Sequence, residues 1–299
     1  MRYGIDLGGT KTEIIALTPD GGTAFRQRNE TPRGSYQHIL QNICDLVALA
    51  DQETGGASAI GVGIPGTISP KTGLVKNANS TELIGHPLDQ DLASLLGRPV
   101  RVANDANCFA LSEASDGAGA GYGTVFGIIV GTGVGGGLII NGQVLNGAHS
   151  IAGEWGHSPL PWPEDDERPG PVCYCGKNGC IETFLSGPGM SSRAAEATGI
   201  SRSPAELLAA TEAGDPDAKA YFQTFERRIA KSLATVINVI DPDIIVCGGG
   251  LSNLGRIYKK VPLLWQEYVF SDGITTPFVP ARFGDSSGVR GAAWLWPEE

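Results

Sequence analysis

The chain has 299 residues, of which 41% are hydrophobic and 18% are charged. This length and composition indicate a compact protein of about two domains and exclude a disordered chain. With 22 Lys and Arg against 32 Asp and Glu, the formal net charge of -10 argues against nucleic acid and membrane surfaces as partners.

The N-terminal third predicts a strand meander followed by alternating helices and strands. Two β-rich runs, Tyr3 to Leu7 and Thr12 to Leu17, flank a glycine turn, and "TPDGG" turns the chain into a third strand. Apolar residues at helical spacing predict a helix within Ser35 to Thr54. "AIGVGIPG" then predicts a buried strand, "LDQDLASLLG" a short helix, and "PVRVANDAN" a strand that leads into a helix.

The segment "TVFGIIVGTGVGGGLIINGQV" repeats the opening arrangement of strand, glycine turn and strand, with a second turn at Asn141 and Gly142. Although it carries no charge, its glycines weaken a helix, so we expect strands rather than a membrane span. Downstream we expect a helix over Asp217 to Ile240, a strand at "DIIVCGGG" and a helix over Leu254 to Val269.

The small-residue connection "GAGAGYG", residues 117–123, is the candidate domain boundary. The "DSSGVRGAAWLW" segment predicts a closing helix. We therefore expect an N-terminal α/β domain of residues 1–117, onto which a C-terminal helix of residues 286–299 packs, and a C-terminal α/β domain of residues 118–285.

Glycine turns between strands allow backbone N–H groups to approach a phosphate closely. "DLGGTKT" fits that use, although an ordinary tight hairpin would have the same pattern. The second turn matches the spacing of a dinucleotide-binding loop, but the strand-like "LIIN" follows it instead of a helix. Together with the three glycines Gly248–Gly250, the two turns suit the binding of a triphosphate.

The sequence "NDAN", Asn104 to Asn107, places an acid at the end of a predicted strand, next to amides. Phosphoryl transfer needs a carboxylate that accepts the proton of the attacking hydroxyl, and Asp105 is our candidate for this general base. A role of Asp105 as a helix N-cap is the alternative.

Three cysteines and one histidine form a second chemical pattern, with spacing H-x15-C-x-C-x4-C over His157, Cys173, Cys175 and Cys180. This set suits a structural, tetrahedral zinc ion, while a redox or chance cluster is the alternative. No signal peptide is predicted, so we expect a cytoplasmic protein without disulfides. The acidic run "PLPWPEDDERPGPV" before Cys173 is predicted to be a solvated excursion.

These motifs together resemble the ROK family of sugar kinases and regulators, within the actin-like ATPase superfamily, over essentially the whole chain. "DLGGTKTE" resembles the first phosphate motif of the family, "GTGVGGG" the second and "GGG" the adenosine region, while "GEWGH" and "CYCGKNGCIE" resemble its signature. Among subgroups, "GIPGTISP", "KNANST", "ANDANC" and "EWGHSPLPW" are most similar to bacterial fructokinases.

The resemblance implies an α/β fold of two actin-like, ribonuclease H-like lobes with an interlobe cleft. It implies ATP-dependent phosphorylation of a hexose at the 6-hydroxyl, with D-fructose as the first candidate and D-fructose 6-phosphate as the product. Glucose, mannose and N-acetylhexosamines are the alternatives within the same class. The resemblance also implies ATP, Mg²⁺ and structural Zn²⁺ as cofactors, and a homodimer.

Site residues follow from the matching motifs. The expected nucleotide-binding residues are Asp6, Gly8, Gly9, Thr10, Lys11, Thr12, Gly131, Thr132, Gly133, Gly248, Gly249 and Gly250, with Asp6 holding Mg²⁺ through water. The expected sugar-binding residues are Gly66, Thr67, Asn77, Asn79, Asn104, Asp105, Glu154, His157 and Glu182, the last three beside or within the metal cluster. For both glutamates a surface salt bridge is the alternative, and His157 is expected to serve metal and sugar through its two nitrogens.

Two other classes remain open. Some members of the family are sugar-responsive repressors, but the first phosphate strand starts at Tyr3, so we expect no DNA-binding domain ahead of it. An actin-like or chaperone ATPase would hydrolyse ATP without regard to sugars, and it would not explain the cysteine and histidine cluster.

Overall fold

The computed structural model describes residues 1–78 and 80–296 of the chain. The strands are β1 (Arg2–Leu7), β2 (Lys11–Leu17), β3 (Thr23–Glu30), β4 (Ile60–Ile64), β5 (Thr67–Ile68), β6 (Val75–Lys76), β7 (Val100–Asn104), β8 (Thr124–Val130), β9 (Val134–Ile140), β10 (Gln143–Val144), β11 (Ile244–Gly248) and β12 (Phe278–Pro280). The α-helices are α1 (Tyr36–Thr54), α2 (Leu88–Leu96), α3 (Asp105–Ser115), α4 (Glu182–Leu185), α5 (Gly187–Thr198), α6 (Pro204–Glu212), α7 (Pro216–Ile240), α8 (Ile257–Leu264) and α9 (Ser287–Ala293). Short 3₁₀ helices lie at Thr81–Leu83, Trp155–His157, Asp165–Glu167, Gly250–Asn253, Trp265–Glu267 and Gly284–Ser286.

The chain divides into two compact units. The first unit comprises Met1–Gly123, Gly137–Ala152 and the chain from Arg282 onward, and the second unit comprises Thr124–Gly136 and Gly153–Ala281. The sequence places the boundaries after residue 117 and before residue 286, so residues 118–123, 137–152 and 282–285 group differently from that expectation.

The first unit is built on a mixed sheet with the strand order β3-β2-β1-β4-β7. The chain meanders antiparallel through β1, β2 and β3, whereas β1, β4 and β7 run parallel. The predicted glycine turn between β1 and β2 is confirmed, because the Gly8 N–H donates to the carbonyl oxygen of Lys11 at 3.0 Å. The carboxyl ends of the three parallel strands therefore lie at one edge of this sheet.

Helix α1 covers one face of this sheet with the apolar residues that its sequence spacing predicts. Ser35 caps its N-terminus by accepting a hydrogen bond from the His38 N–H, and Gly55 ends it in the left-handed conformation with φ of 80°. Its buried side chains, Ile39, Ile43, Leu46, Val47 and Ala50, join the core that the strands form. Burial of this stripe stabilises the helix far more than its intrinsic propensity does.

Helix α9 covers part of the other face at very short range, as predicted for the closing helix, although it ends at Ala293 and not at residue 299 as the sequence suggested. A Cβ at Gly4 of β1 would overlap the carbonyl oxygen of Val289, and one at Gly61 of β4 would overlap that of Ala292. On the far side of α9, a Cβ at Gly291 would overlap the carbonyl oxygen of Cys108 in α3. Bare glycine backbones therefore allow the helix to lie between β1, β4 and α3.

The buried carboxylate of Glu113, near the end of α3, helps to explain why residues 118–123 and 282–285 belong to the first unit and not to the second. It accepts hydrogen bonds from the backbone N–H groups of Ala118, Arg282 and Phe283 and from the Ser287 hydroxyl, at 2.8–3.3 Å. These bonds hold the residues after α3 and the start of the C-terminal segment on the first unit.

The second sheet has the strand order β10-β9-β8-β11-β12, which repeats the order of the first. Strand β11 runs parallel to both β8 and β12. Among the described residues, no helix has the length and apolar character needed to cross a membrane, and the uncharged segment that begins at Thr124 forms β8 and β9. The similarity of the two sheets agrees with the internal repeat seen in the sequence.

Helix α8 is shorter than the helix predicted over Leu254 to Val269. It spans Ile257–Leu264, and a 3₁₀ turn at Trp265–Glu267 follows it. Pro262 lies inside α8, where it cannot donate a backbone hydrogen bond, and this weakens continuation of the helix.

The acidic run of residues 159–172 is largely exposed, as its composition predicts, but one of its acids anchors it to the core. Glu167 is buried and accepts hydrogen bonds from Arg228 Nε and Lys231 Nζ of α7, both at 2.6 Å. Lys231 also donates to the carbonyl oxygen of Trp162 at 3.0 Å. A buried ionic cluster thus fixes this segment onto α7, within the second unit.

Candidate active site

The first glycine turn, which the sequence predicts to bind a phosphate, is exposed at its tip. Gly9, Thr10 and Lys11 are exposed, whereas Thr12 is fully buried. The Thr12 hydroxyl lies 2.9 Å from that of Thr31, and Thr31 donates to the Gly8 carbonyl at 2.7 Å. Thr12, expected at the nucleotide, therefore braces the turn from within instead of facing a ligand.

Asp6 and Asp105 lie near each other at the carboxyl edge of the first sheet. Burial, together with the smaller effects of the negative charges of Asp105 and Glu13, raises the pKa of Asp6 to about 6, while Arg28 opposes the shift. Glu13 itself pairs with Arg26 and Arg28 of β3. Two neighbouring carboxylates beside a phosphate-accessible turn suit a magnesium ion and a proton acceptor.

Asn104 and Asp105 join the end of β7 to the start of α3. Asn104 is the N-cap, since its Oδ1 accepts the Ala106 N–H at 2.9 Å, and Asp105 Oδ1 lies 2.8 Å from the same nitrogen. The Asn104 amide also donates to the carbonyl oxygen of Gly66 at 3.3 Å. The helix start therefore presents the Asp105 carboxylate and links it to the predicted sugar-binding segment.

That segment folds back as the small hairpin of β5 and β6, in which Thr67 pairs with Lys76. Asn77 follows it with a positive φ of 55°, and Asn79 lies outside the described residues. Ser80 was missed by the sequence reasoning, although it belongs to the quoted run "KNANST". Its buried hydroxyl has no hydrogen-bond partner among the described residues and lies 3.5 Å from where a Cβ of Gly9 would stand.

The second glycine turn, Gly131 to Gly133, is tied to the helices that follow the metal-ligand loop. The Gly187 N–H donates to the Gly131 carbonyl at 2.7 Å, and the Val134 N–H donates to Glu182 Oε2 at 2.8 Å. Thr132 at its tip is exposed. A Cβ at Gly133 would stand 2.8 Å from Glu182 Oε2, so a side chain there would have to displace this carboxylate.

The third glycine run, Gly248–Gly250, lies against this second turn. Gly249 has a φ of 81°, and a Cβ there would stand 2.6 Å from the Val130 carbonyl oxygen, so the position requires glycine. A Cβ at Gly131 would lie 3.6 Å from the backbone nitrogen of Gly250. The fold thus brings the predicted phosphate and adenosine segments of the second unit together.

The four predicted metal ligands converge. His157 Nδ1, Cys173 Sγ, Cys175 Sγ and Cys180 Sγ all lie within 4.8 Å of one another. The His157–Cys173 and Cys175–Cys180 pairs are each 3.6 Å apart, close to the roughly 3.6–3.8 Å edges of a zinc tetrahedron with these ligands. Three thiols and one imidazole leave no position open, so the donor set fits a structural zinc ion.

Short turns place these ligands. A 3₁₀ turn carries His157, and the bridges Pro159–Cys180 and Val172–Asn178 close the segment between the ligands. The Cys173 N–H donates to the Lys177 carbonyl at 2.8 Å and the Gly176 N–H to the Cys173 carbonyl at 2.9 Å, so backbone hydrogen bonds close the "CYCGK" turn.

The predicted sugar-binding residues of the second unit surround this loop. Glu154 is exposed next to the 3₁₀ turn, and Trp155 fixes that turn by donating from Nε1 to the Gly135 carbonyl at 2.8 Å. Glu182 begins α4, directly after the ligand Cys180 and Ile181. The second nitrogen of His157, Nε2, lies 2.9 Å from the hydroxyl of Tyr174, a contact that the sequence reasoning missed.

Comparisons with known proteins show which sequences and structures this chain is similar to. A model of the ROK family matches residues 2–299. The N-acetyl-D-glucosamine kinase of Yersinia enterocolitica is 40% identical over 299 residues, covering 99% of each chain. The ROK hexokinase of Thermus thermophilus is 29% identical with a TM-score of 0.86, covering 98% of this chain and 97% of that one. The ROK glucokinase of Streptomyces griseus, solved with glucose and AMPPNP, is 29% identical with a TM-score of 0.76 and 98% coverage of both chains.

Proposed function

The chain belongs to the ROK family of sugar kinases, and on that premise we propose that it transfers the γ-phosphoryl group of ATP to the 6-hydroxyl of a hexose. The observation that carries the proposal is the position of Asp105 beside Asp6, at the edge where β1, β4 and β7 end. A carboxylate there can accept the proton of an attacking hydroxyl while its neighbour serves the metal that accompanies ATP.

In the proposed mechanism, Asp105 is the general base. Its carboxylate takes the proton of the sugar hydroxyl as the oxygen attacks the γ-phosphorus and the bond to the β-phosphate oxygen breaks. Asn104, which holds Gly66 and caps α3, keeps the carboxylate oriented. The base accounts for roughly 10²- to 10⁴-fold of the rate.

Backbone N–H groups of the glycine turns are proposed to bind the phosphates of ATP, apart from those of Gly8 and Gly131, which donate to the carbonyl oxygens of Lys11 and Gly133 within the turns. Gly8 to Lys11 serve this role in the first unit, and Gly131 to Gly133 with Gly248 to Gly250 in the second. Bound Mg²⁺, held by Asp6 through water, would neutralise charge on the phosphates. The backbone N–H dipoles of the turns are already oriented before the phosphoryl group is transferred, so they need no rearrangement during the reaction.

The cysteine and histidine cluster is proposed to hold structural zinc. Zinc would supply a rigid crosslink between His157 and the "CYCGKNGC" turn, with no part in the chemistry. The residues that it fixes in place include Glu154 and Glu182, which are proposed to bind sugar hydroxyls through their carboxylates.

The motifs and the similar proteins favour different sugars as the substrate. N-acetyl-D-glucosamine is the first candidate, because it is the sugar in the name of the 40% identical Yersinia relative. D-fructose is the second, because "GIPGTISP", "KNANST", "ANDANC" and "EWGHSPLPW" are most similar to fructokinases. Since such pockets differ by few contacts, glucose and mannose belong in the same panel. A cytoplasmic location and a homodimer remain predictions.

A coupled ADP-release assay over N-acetyl-D-glucosamine, N-acetyl-D-mannosamine, fructose, glucose and mannose tests the proposal. We expect ADP release to depend on the sugar, with the highest kcat/KM for N-acetyl-D-glucosamine. A preference for fructose would replace the proposed substrate and leave the kinase class intact. ATP hydrolysis that is indifferent to all five sugars, or salt-dependent DNA binding without turnover, would reject a sugar kinase.

A further inference from the structure

A cavity of about 440 Å³ lies on the surface of the first unit. It forms where the hairpin of β5 and β6 meets the loop that follows β10, and none of the residues assigned to ATP or to the sugar is among its described lining. A cavity of this size is sufficient for a small organic molecule. The described lining residues of this basic cavity are Ser69, Pro70, Lys71, Lys76, Ala148 and His149.

The lining is basic although the protein as a whole is acidic. Lys71 and Lys76 contribute two ammonium groups and His149 an imidazole, and no described lining residue is an acid. By contrast, Arg98 lines another cavity of the same unit together with Asp51, which neutralises it through an ion pair at 2.5 Å. In a chain with a net charge of -10, two lysines without an acid beside them in the cavity favour an anionic ligand.

Lys76 is fixed in the cavity and still has donors to offer. Its Nζ donates to the carbonyl oxygen of His149 at 2.9 Å, and this bond bridges the hairpin and the loop. An ammonium group has three donors, so two remain for a ligand. Ser69 adds a hydroxyl, and its backbone is held by bonds with Leu74 and Gly73 at 2.8–2.9 Å. The donors of the cavity are therefore placed by the fold before any ligand binds.

The backbone next to this bridge is strained on both sides. Asn77 directly follows Lys76 with a φ of 55°, and Ser150 directly follows His149 with a φ of 54°. Both are non-glycine residues in the left-handed region, which recurs where the surrounding structure forms a ligand clamp. Each wall of the cavity thus carries a strained residue beside a basic one, which indicates that the shape of the cavity is specified.

We propose that the basic cavity binds a phosphate group, carried by a small sugar phosphate or present as free inorganic phosphate. The ammonium groups of Lys71 and Lys76 match the charge of a phosphate dianion, and the Ser69 hydroxyl donates to a third oxygen. Pro70 and Ala148 form an apolar surface on which a sugar ring can lie. Hexose 6-phosphate, the product class of the proposed reaction, is the first ligand to try, and only this choice rests on the proposed function.

The position of the cavity links it to the sugar-binding hairpin. Lys76 pairs across the hairpin with Thr67, and the neighbouring Gly66 accepts a hydrogen bond from the Asn104 amide at 3.3 Å. A phosphate bound to Lys76 would therefore act on the strand pair that carries Thr67. Product or free phosphate could reach the hairpin in this way without entering the proposed active site.

The test is a titration of ¹⁵N-labelled protein with N-acetyl-D-glucosamine 6-phosphate and, separately, with inorganic phosphate, followed by the NMR signals of the backbone amides. We expect the signals of residues 69–76 and 148–150 to shift with either probe. Tighter binding of the sugar phosphate assigns that ligand, and equal binding assigns free phosphate; both results support the site. Signals of the glycine turns report binding in the active site and are read separately.

Two pairs of substitutions remove or keep the charge. The double variant Lys71→Gln and Lys76→Gln should weaken binding at the cavity at least tenfold, while the glutamine at position 76 can still donate to the His149 carbonyl. The double variant Lys71→Arg and Lys76→Arg keeps both charges and should retain binding. Lys71→Gln alone, at an exposed position, should weaken binding about three- to tenfold without altering Tm. Lys219→Gln, at an exposed lysine of α7, is the matched control and should change nothing.

Two outcomes would overturn the inference. One is the absence of shifts at residues 69–76 and 148–150 with both probes at millimolar concentration. The other is equal affinity of the wild type and the double glutamine variant, which would show that the lysines do not hold the anion. Failure of the wild type to phosphorylate any sugar rejects the proposed function alone, because the titration requires no turnover.

Discussion

The carboxylate of Glu182 accepts a hydrogen bond from the backbone N–H of Val134, with 2.8 Å between Oε2 and the nitrogen. This bond joins α4, which follows the last cysteine of the metal-ligand loop, to the end of the second glycine turn. The same oxygen lies where a Cβ of Gly133 would come within 2.8 Å of it, so a side chain at that position would have to displace the carboxylate. A residue assigned to the sugar is thereby part of the structure that shapes a proposed phosphate-binding turn.

Glu182→Ala is therefore expected to weaken the binding of both substrates, the sugar and ATP. Loss of a hydrogen bond to a charged acceptor corresponds to about 1.5–3 kcal/mol, so KM for sugar and KM for ATP should each rise about tenfold or more. Glu182→Gln keeps an acceptor for the Val134 N–H. It should therefore leave KM for ATP unchanged while still raising KM for the sugar. The exposed Glu196→Ala on α5 is the control. If Glu182→Ala leaves KM for ATP unchanged, the link to Val134 has no functional role.

Asp105→Asn is expected to lower kcat about 10²- to 10⁴-fold, because the amide cannot accept the proton of the sugar hydroxyl. Sugar affinity, measured by calorimetry, should change little, since the amide keeps its hydrogen-bonding groups. Asp217→Asn is a matched control, because Asp217 also lies in the first turn of a helix, α7. Equal effects of the two substitutions would show that Asp105 only stabilises the start of its helix and is not the general base.

Purified protein is expected to carry about one zinc ion per chain, measured by mass spectrometry, and Cys175→Ser should lose it. Since the ion would fix the loop that presents Glu154 and Glu182, the variant should show a lower Tm and a KM that rises more for sugar than for ATP. Cys44→Ser, at a cysteine outside the cluster, should keep the metal. A wild-type protein that contains no zinc after expression with the metal supplied would contradict the assignment.

Glu167 makes the stability of the second unit depend on pH. Burial alone would raise the pKa of Glu167, but the hydrogen bonds from Lys231 and Arg228 outweigh it and hold the pKa below the usual 4.5. The ionised form therefore stabilises the fold; this contribution is complete above pH 4.5 and is lost as pH falls through the lowered pKa.

Glu167→Gln is expected to destabilise the protein by about 3 kcal/mol at neutral pH, since it leaves two buried cations without their carboxylate. The difference in Tm between variant and wild type should shrink as pH falls below 4.5. Asp165→Asn removes a fully exposed acid of the same segment and should have little effect at any pH. A Tm difference that does not vary with pH would show that packing, and not charge, makes Glu167 important.

Gly61→Ala is expected to destabilise the first unit by about 2–3 kcal/mol, because the new Cβ would overlap the Ala292 carbonyl and force α9 away from β4. Thermal unfolding should show this as a fall in Tm of about 4–12 °C. At Gly255, no atom lies within 4 Å of an added Cβ, so Gly255→Ala is the control. A wild-type Tm for Gly61→Ala would mean that α9 does not pack as described.

Much of the fold was predictable because its signals are local. Ser35 and Gly55 cap α1 as their residue types suggest, and the glycines after Asp6 form the hairpin between β1 and β2. The metal-ligand set was predictable because all but one of its members lie in one short turn. Local chemistry decides each of these features, so a single sequence is sufficient to find them.

The remaining features depend on contacts between distant residues. Nothing near Glu167 in the sequence distinguishes it from the acids around it, and its burial follows from Arg228 and Lys231 on another element. The position of Thr12 did have a signal, because Thr12 shares a strand face with Ile14, which points into the core. For the contact between Tyr174 and His157 there was no such signal, since it depends on how the loop folds over the histidine.

The backbone contact of α9 with β1 and β4 also has a consequence for biosynthesis. The strands of the first sheet leave the ribosome within the first 104 residues, but the helix that covers their second face emerges only after residue 286. At typical translation speeds, Ile15 and Leu17 are synthesised roughly 14–55 s before Val289 and Ala293, against which they pack. The nascent chain therefore presents an apolar strand surface for most of its synthesis, and chaperones that shield such surfaces should associate with it until the final segment is released.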